Sequence, residues 1–414
     1  MVFNSSICCL LLYIFIVVSS ISSTNSLKTE NHKSVNQTFR SEEDLQKLKK
    51  TIATRLQKIN KPAVKTIQVP NGDIIDCVLT HKQLAFDHPL LKGQKPMDLP
   101  KSLREKNQSG NMSDFQLWNL FGESCPEGTI PVRRVTEQDM LRAYSINSFG
   151  KKLRREVKRK NVSDEHEHAV AIVSQDEYFG AQATFNVWSP YVEVQTEFSL
   201  SQMWVSSGTD GEDLNSIEAG WHVYPHLYGD NRPRLFIFWT ADAYKSTGCY
   251  NLACPGFVHT NQNFPIGVAL PKFSTYKGQQ FAITLKIMKD KNTGNWLLVI
   301  GAGNIIGYWP TSLFSHLKND AEEIHFGGEI VNENSRGVHT STAMGSGHFA
   351  EEGFGKAAYI RNMQVINSDN KLIPLENPTY VASNPNCYNI QGKYSPKWGD
   401  HMYFGGPGKS DKCP

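Results

Sequence analysis

The chain predicts an all-β fold, a sandwich or a barrel, preceded by a smaller α+β unit, and three observations lead there. From about His166 onward, short apolar, β-branched and aromatic runs alternate with Gly, Asn, Asp and Pro, the texture of strands separated by turns. No stretch of that region keeps a helical period. No fixed repeat or low-complexity tract interrupts the 414 residues, a length that suits roughly two to three units.

Taken in order, the first element is a leader. Ile7 to Val18, ICCLLLYIFIVV, has the length of a signal-peptide apolar core and is too short to span a bilayer comfortably. Small polar residues follow and suit cleavage between Ser23 and Leu27, although MVFNSS lacks the usual positive charge. Residues 1–26 are read as a signal peptide, and no later stretch is apolar enough to span a membrane. Ser41 to Asn60 is a capped amphipathic helix, with Leu45, Leu48, Ile52 and Leu56 at helical spacing. Thr66 to Leu79 reads as strand, Asn71-Gly72 turn and strand, and residues 87–112 as loop. SCPEGTIPVRR is a strand and VTEQDMLRAYSINSF a helix. Lys151 to Lys160, KKLRREVKRK, follows with seven basic residues in ten. It is either a solvated basic helix or an exposed linker of the kind proteases cut.

The strands of the larger unit are HAVAIVS, GAQATFNVWSP, EFSLSQMWVSS, EAGWHVYP, RLFIFWTAD, QQFAITLKIM, NWLLVIGAGNIIGYWP, EIHFGGEIV and AAYIRNMQVI. Together they fill about 250 residues, a sandwich- or barrel-sized domain. A net charge of +3 over the whole chain gives no reason to expect nucleic acid or a membrane surface as partner.

Removing the leader removes Cys8 and Cys9 and leaves six cysteines, an even number that reads as disulfides in an oxidising compartment. Neighbourhood favours Cys77 with Cys125, Cys249 with Cys254 and Cys387 with Cys413. Half of a zinc site is the competing reading for Cys249 and Cys254, but no second pair lies near. Sequons at Asn36, Asn107, Asn111 and Asn161 agree with the secretory route.

Several chemistries are excluded. There is no HExxH metal motif, no G-x-S-x-G frame around Ser346, no complete phosphate loop at GPGKS, and no Asp-Thr-Gly or Asp-Ser-Gly. His166 and His168, two apart on a strand, could ligate a metal; the plainer reading makes them surface residues where the first strand begins.

What remains is carboxylates in strands. In NSIEAGWHVYPHLYGD the two-residue period puts Ile217, Ala219, Trp221 and Val223 on one face and Glu218, Gly220, His222 and Tyr224 on the other. In EIHFGGEIVNE the same parity sets Glu329 with His325 and Gly327 opposite Ile324, Phe326 and Ile330, and the glycines suggest open space above the sheet. Two carboxyls at close range cannot both ionise easily, so one stays protonated while the other is a base. Such a pair could split water across an amide or a glycosidic bond. Alternatively each Glu pairs with a cation on a neighbouring strand.

IEAGWHVYPHLYGD, FIFWTADAYKSTGCYNLACPGFV, GNWLLVIGAGNIIGYWPTSLF, FGGEIVNE and HTSTAMGSGHFAEEGFGKAAYIRN together resemble the neprosin family of plant secreted proteins. SCPEGTIPVRR and the segment before it resemble that family's activation domain. The resemblance implies a β-sandwich of two antiparallel sheets, Cys249–Cys254 and Cys387–Cys413 disulfides, and a glutamic peptidase that cuts after proline. Its catalytic pair would be Glu218 and Glu329, with no metal or organic cofactor.

The same resemblance implies a proenzyme that matures in acid. Residues 27–150 would be the inhibitory propeptide, 151–160 the processing region and 161–414 the catalytic sandwich, a monomer secreted to the apoplast or the vacuole. Gln202 and Trp204 share one strand face, and with Tyr224 and Trp239 they are candidates to line the groove for a proline-containing peptide. His222 stands where Gln is expected and Ala243 where Gly is frequent, which bears on subsite preference. A non-catalytic extracellular binding module for polysaccharide or protein is the alternative from a different class, and a glycosidase a third.

Overall fold

A computed structural model describes residues 42–97, 123–152, 166–333 and 338–414. The signal peptide, all four sequons and the run after Lys152 lie outside the described residues. The chain divides into Met1–Lys50, of which only one end of helix α1 (Glu42–Ile59) is described, and Thr51–Pro414, which carries everything below.

The strands in chain order are β1 (Ala63–Gln68), β2 (Ile74–Leu79), β3 (Thr129–Arg133), β4 (His166–Tyr178), β5 (Gly180–Asn186), β6 (Ser199–Ser207), β7 (Asn215–Val223), β8 (Arg234–Thr240), β9 (Val258–His259), β10 (Ala282–Lys289), β11 (Trp296–Ile300), β12 (Asn304–Trp309), β13 (Ala321–Val331), β14 (Ala358–Ile366), β15 (Leu372–Pro374), β16 (Thr379–Ala382), β17 (Asn389–Ser395) and β18 (Gly399–Gly405). β1, β2 and β3 form a small sheet of the activation region. One large sheet runs β16-β4-β13-β6-β7-β8, and the other runs β17-β18-β14-β5-β10-β11-β12-β9 with β15 beside β14; the pairings in both are antiparallel.

The two large sheets share one apolar core, as an alternating pattern requires. Ala219 and Trp221 of β7 and Phe326 of β13 meet Phe185 of β5 and Leu285 of β10 there, all fully buried. The Trp221 indole donates to the Asn186 carbonyl of the facing sheet at 3.0 Å, satisfying its one polar atom. Cys77–Cys125, Cys249–Cys254 and Cys387–Cys413 are disulfides, with Cα separations of 5.4, 5.9 and 5.1 Å. No helix among the described residues is long and apolar enough to cross a membrane.

The strand-turn-strand at Asn71-Gly72 forms as expected. The expected helix after Val135 is shorter: α2 (Glu137–Arg142), closed at its start by a Thr136–Asp139 capping box, gives way at Ala143 to extended backbone. The sequence pattern does not predict β15, β16 and β17, whose residues are largely exposed or half-exposed and show little apolar alternation, nor β18, whose buried run His401–Gly405 does not alternate.

Parity predicts one buried and one open face for β7, yet every residue of the strand is buried. The second face is covered by chain from outside the sandwich, and that cover defines the site.

Candidate active site

β6 lies between β7 and β13, and its register fixes which side chains share the covered face. Trp204 stands opposite both Glu218 and His325, Gln202 opposite both Gly220 and Gly327, and Leu200 opposite both His222 and Glu329. The two glutamates therefore occupy one sheet face on the strands flanking β6, with Gln202 in the row between them. Glu218 is 1% exposed and Glu329 is fully buried. The glycines do not open space there: a Cβ on Gly220 would collide with the Ser201 carbonyl, and one on Gly327 with the Ala169 carbonyl. Gly328 lies on the core face, where a Cβ would meet Phe404 at 2.6 Å. These glycines let neighbouring backbones close in.

A single cation bridges the pair. Lys152 Nζ lies 3.8 Å from Glu218 Oε2 and 3.3 Å from Glu329 Oε1, over the Tyr244 ring at 5.2 Å. Burial disfavours its ammonium, but Glu218 and Glu329 outweigh that and hold it well above the ordinary lysine range. Around Glu329, His166 Nδ1 approaches Oε1 at 2.5 Å and His168 Nε2 at 3.9 Å. Burial alone would raise the Glu329 carboxyl; Lys152 and then His166 reverse this and keep it well below the usual carboxylate range.

Glu218 is held differently. Gln202 Nε2 donates to its Oε2 at 3.0 Å and the Tyr244 hydroxyl to its Oε1 at 2.7 Å. Burial, and then the Glu218 carboxylate, push the Tyr244 hydroxyl well up, so it remains a donor. Ala243 and Tyr244 both take left-handed backbone, φ +55° and +63°, a costly conformation for residues with a side chain. The turn is over-determined: Thr240 Oγ accepts from Tyr244 N, and the Asp242 carboxylate accepts from Lys245, Ser246 and Thr247. The cost is met by a frame that aims one hydroxyl at Glu218.

Lys152 arrives on the segment that follows α2. Tyr144 lies against His226 at 4.7 Å between ring centres, the rings tilted by 37°, Gly150 offers its carbonyl to Tyr250 N at 2.7 Å, and Phe149 is buried. The segment is secured farther back by a buried ion cluster. Asp73, beside β2, accepts from Arg234 of β8 at 2.9 Å and from Arg133 of β3 at 2.9 Å. Burial raises its carboxyl, but Arg234 and Arg133 carry it below its usual value. Leu91, fully buried, and Ala85 insert into the sandwich core itself.

Of the groove candidates, Gln202 and Trp204 lie on the face of the glutamates, and Tyr224 is buried beneath the covering segment between Phe198 and Tyr250. Trp239 does not join them. It pairs with Ile217 and sits in the core against Phe314, and Phe238 is the residue opposite Glu218. Only the unread β7–β8 register could have separated the two. His222 is fully buried, stacked on Phe236 at 4.0 Å with Nε2 2.8 Å from the Tyr228 hydroxyl. Burial, then Arg234, hold it well below the usual histidine value. His166 and His168 begin β4 and are half-exposed, as the surface reading has it, but β4 pairs directly with β13 and also places both beside Glu329. Lys152 and Tyr244 were missed: one was hidden in a basic run, the other in a turn.

An antiparallel sandwich with two buried glutamates on one sheet face, capped by a lysine from an N-terminal segment, is the class of protein the fold defines. The neprosin family model matches residues 195–407 and the neprosin activation peptide model residues 66–172, the latter running into β4. The chain belongs to the neprosin family and carries its activation peptide. Among solved structures, it is similar to scytalido-glutamic peptidase bound to a transition state analog inhibitor, at 12% identity over 58% of this chain and 98% of that one, TM-score 0.33. It is also similar to SCP-B, a member of the Eqolisin family of peptidases in complex with the tripeptide Ala-Ile-His, at 11% identity, 58% and 98% coverage, TM-score 0.30. A third likeness is the beta-porphyranase BpGH16B of the human gut bacterium Bacteroides plebeius, at 10% identity, 38% and 53% coverage, TM-score 0.21.

Proposed function

We propose that this chain is the zymogen of a secreted glutamic endopeptidase, with Glu218 and Glu329 as its catalytic pair. The observation that carries the reading is the Lys152 bridge. Two buried carboxylates on one sheet face are neutralised by a cation from the activation segment, where removal of that segment would leave them to each other. Without Lys152 the pair favours a state with one proton. The ionised glutamate then takes a proton from water as the oxygen attacks a peptide carbonyl carbon. The protonated partner gives its proton to the leaving nitrogen as the C–N bond breaks. An acid optimum follows, because the pair must hold one proton. Trp204, Tyr224 and Phe238 offer aromatic surface suited to the proline ring of a substrate cut on its carboxyl side.

Cleavage between Lys152 and His166, giving a mature chain that starts near Asn161, would detach Lys152 with the propeptide, roughly residues 27–160. Acid then assists release, but not first through the Lys152 bridge. A carboxyl held below its ordinary 4.5 gives stability that is present above 4.5 and lost only as pH falls through the depressed value, and Glu329 is held far down. Histidines respond earlier. Burial lowers His226, which faces Tyr144, Tyr224, Glu333 and Arg142, and burial lowers His88 of the activation peptide. Docking that keeps them neutral is complete above 6.5 and weakens as pH falls below it.

The test is acid-processed protein assayed on proline-containing and control peptides beside Glu218→Gln and Glu329→Gln. Loss of cleavage in both folded variants is expected. Retained activity in either refutes the pair.

A further inference from the structure

We infer that Gln202 is a further catalytic residue, its side-chain oxygen orienting the attacking water; this rests on the peptidase reading above. Gln202 stands on β6 in the row between the rows of Glu218 and Glu329 and is fully buried. Its amide has two ends with unequal fates. Nε2 donates to Glu218 Oε2 at 3.0 Å, which fixes the rotamer and turns Oε1 away from that carboxylate. Oε1 has no hydrogen-bond partner among the described residues. Lys152, the obvious donor nearby, is engaged with the two glutamates.

A buried acceptor without a donor destabilises a fold, and such groups call for an explanation. Apolar residues would fill this row at no such cost. Backbone geometry makes the placement stricter still, since Gly220 and Gly327 flank Gln202 on both sides and no neighbouring side chain in the row can reach over to satisfy it.

Amide hydrolysis supplies the missing donor. A water attacking a carbonyl carbon has two protons. One passes to the ionised glutamate, and the other must be held by an acceptor that keeps the lone pair aimed at the carbon. Gln202 Oε1 accepts that second hydrogen bond without taking the proton, which leaves on the product acid. A neutral amide suits the task because a third carboxylate would compete for the single proton the pair shares.

Gln202→Met keeps length and apolar bulk and removes both polar ends. In the acid-processed enzyme it is expected to lower kcat by tenfold or more with KM within about twofold, while the melting temperature stays level or rises because the orphaned acceptor is gone. Unchanged kcat overturns the inference. So does a parallel loss of kcat, KM and melting temperature, the signature of a packing role. Should the variant not fold, a high-resolution structure of the processed wild-type enzyme decides: a water about 3 Å from both Gln202 Oε1 and one carboxyl oxygen is expected, and an Oε1 still without a donor overturns the inference. Active Glu218→Gln or Glu329→Gln protein sinks the peptidase pair. Inactive glutamate variants beside fully active Gln202→Met sink the Gln202 role alone.

Discussion

Glu218 and Glu329 share a sheet face and a counter-ion, but their other neighbours are of different kinds. Glu218 is held by an amide and a phenol, neither of which changes charge in acid, and both belong to the sandwich. Glu329 is held by imidazoles on β4 and by the lysine of the activation segment. Glu218 keeps its two neutral donors when the activation segment leaves; Glu329 loses its lysine and keeps only the imidazoles of β4. A pair needs such asymmetry if its members are to take different roles in one reaction.

The largest break in that comparison is Lys152→Met. It leaves two buried carboxylates without their cation, and loss of one partner from a buried ion cluster costs about 3–5 kcal/mol. Limited proteolysis of the uncut chain at neutral pH should show residues 143–152 newly accessible, with peptide cleavage on acidification before processing. A variant as protected and latent as wild type would mean that the Lys152 bridge is incidental.

Tyr244→Phe tests the Glu218 side. Removing the donor to Glu218 Oε1 is expected to lower kcat about tenfold, or about 1.4 kcal/mol, with little change in KM. A smaller effect belongs to His226→Phe, which keeps the ring contact with Tyr144 but removes the titration. The pH at which the cleaved activation peptide separates on gel filtration should fall by a fraction of a unit. An unmoved midpoint would assign the acid response elsewhere. The smallest concerns Ala243→Gly. A left-handed alanine carries about 1 kcal/mol of strain, part of which glycine's greater freedom in the unfolded chain offsets. A slightly raised melting temperature with unchanged activity is expected, and a lowered one would show that the Ala243 methyl packs usefully.

Much of this site could be read from the chain because parity is local. Glu218 and Glu329 each stand out against their own strand, with no knowledge of the fold. Everything that depends on which strand lies beside which was illegible. His166 and His168 become partners of Glu329 only through the β4–β13 pairing, and Trp239 falls on the core face, with Phe238 opposite Glu218, because one residue of register decides the face. Tyr244 depends on a left-handed turn, and Lys152 is one of seven basic residues in a stretch of ten, distinguished only by where the preceding segment is tied down.

One contact far from the glutamates has its own consequence. The Gln83 side chain lies on the free edge of β9, its Nε2 donating to the His259 carbonyl at 3.0 Å and its Oε1 accepting from the His259 amide at 2.8 Å. A primary amide there impersonates the peptide group of an absent neighbouring strand. Any form of the chain that releases residues 83–91 bares those backbone groups and uncovers the apolar core that Leu91 enters. Unpaired strand edges next to apolar surface invite another molecule to dock and multiply. The activation peptide thus also serves as a cap on the sheet, occupying with one side chain the place a further strand would take.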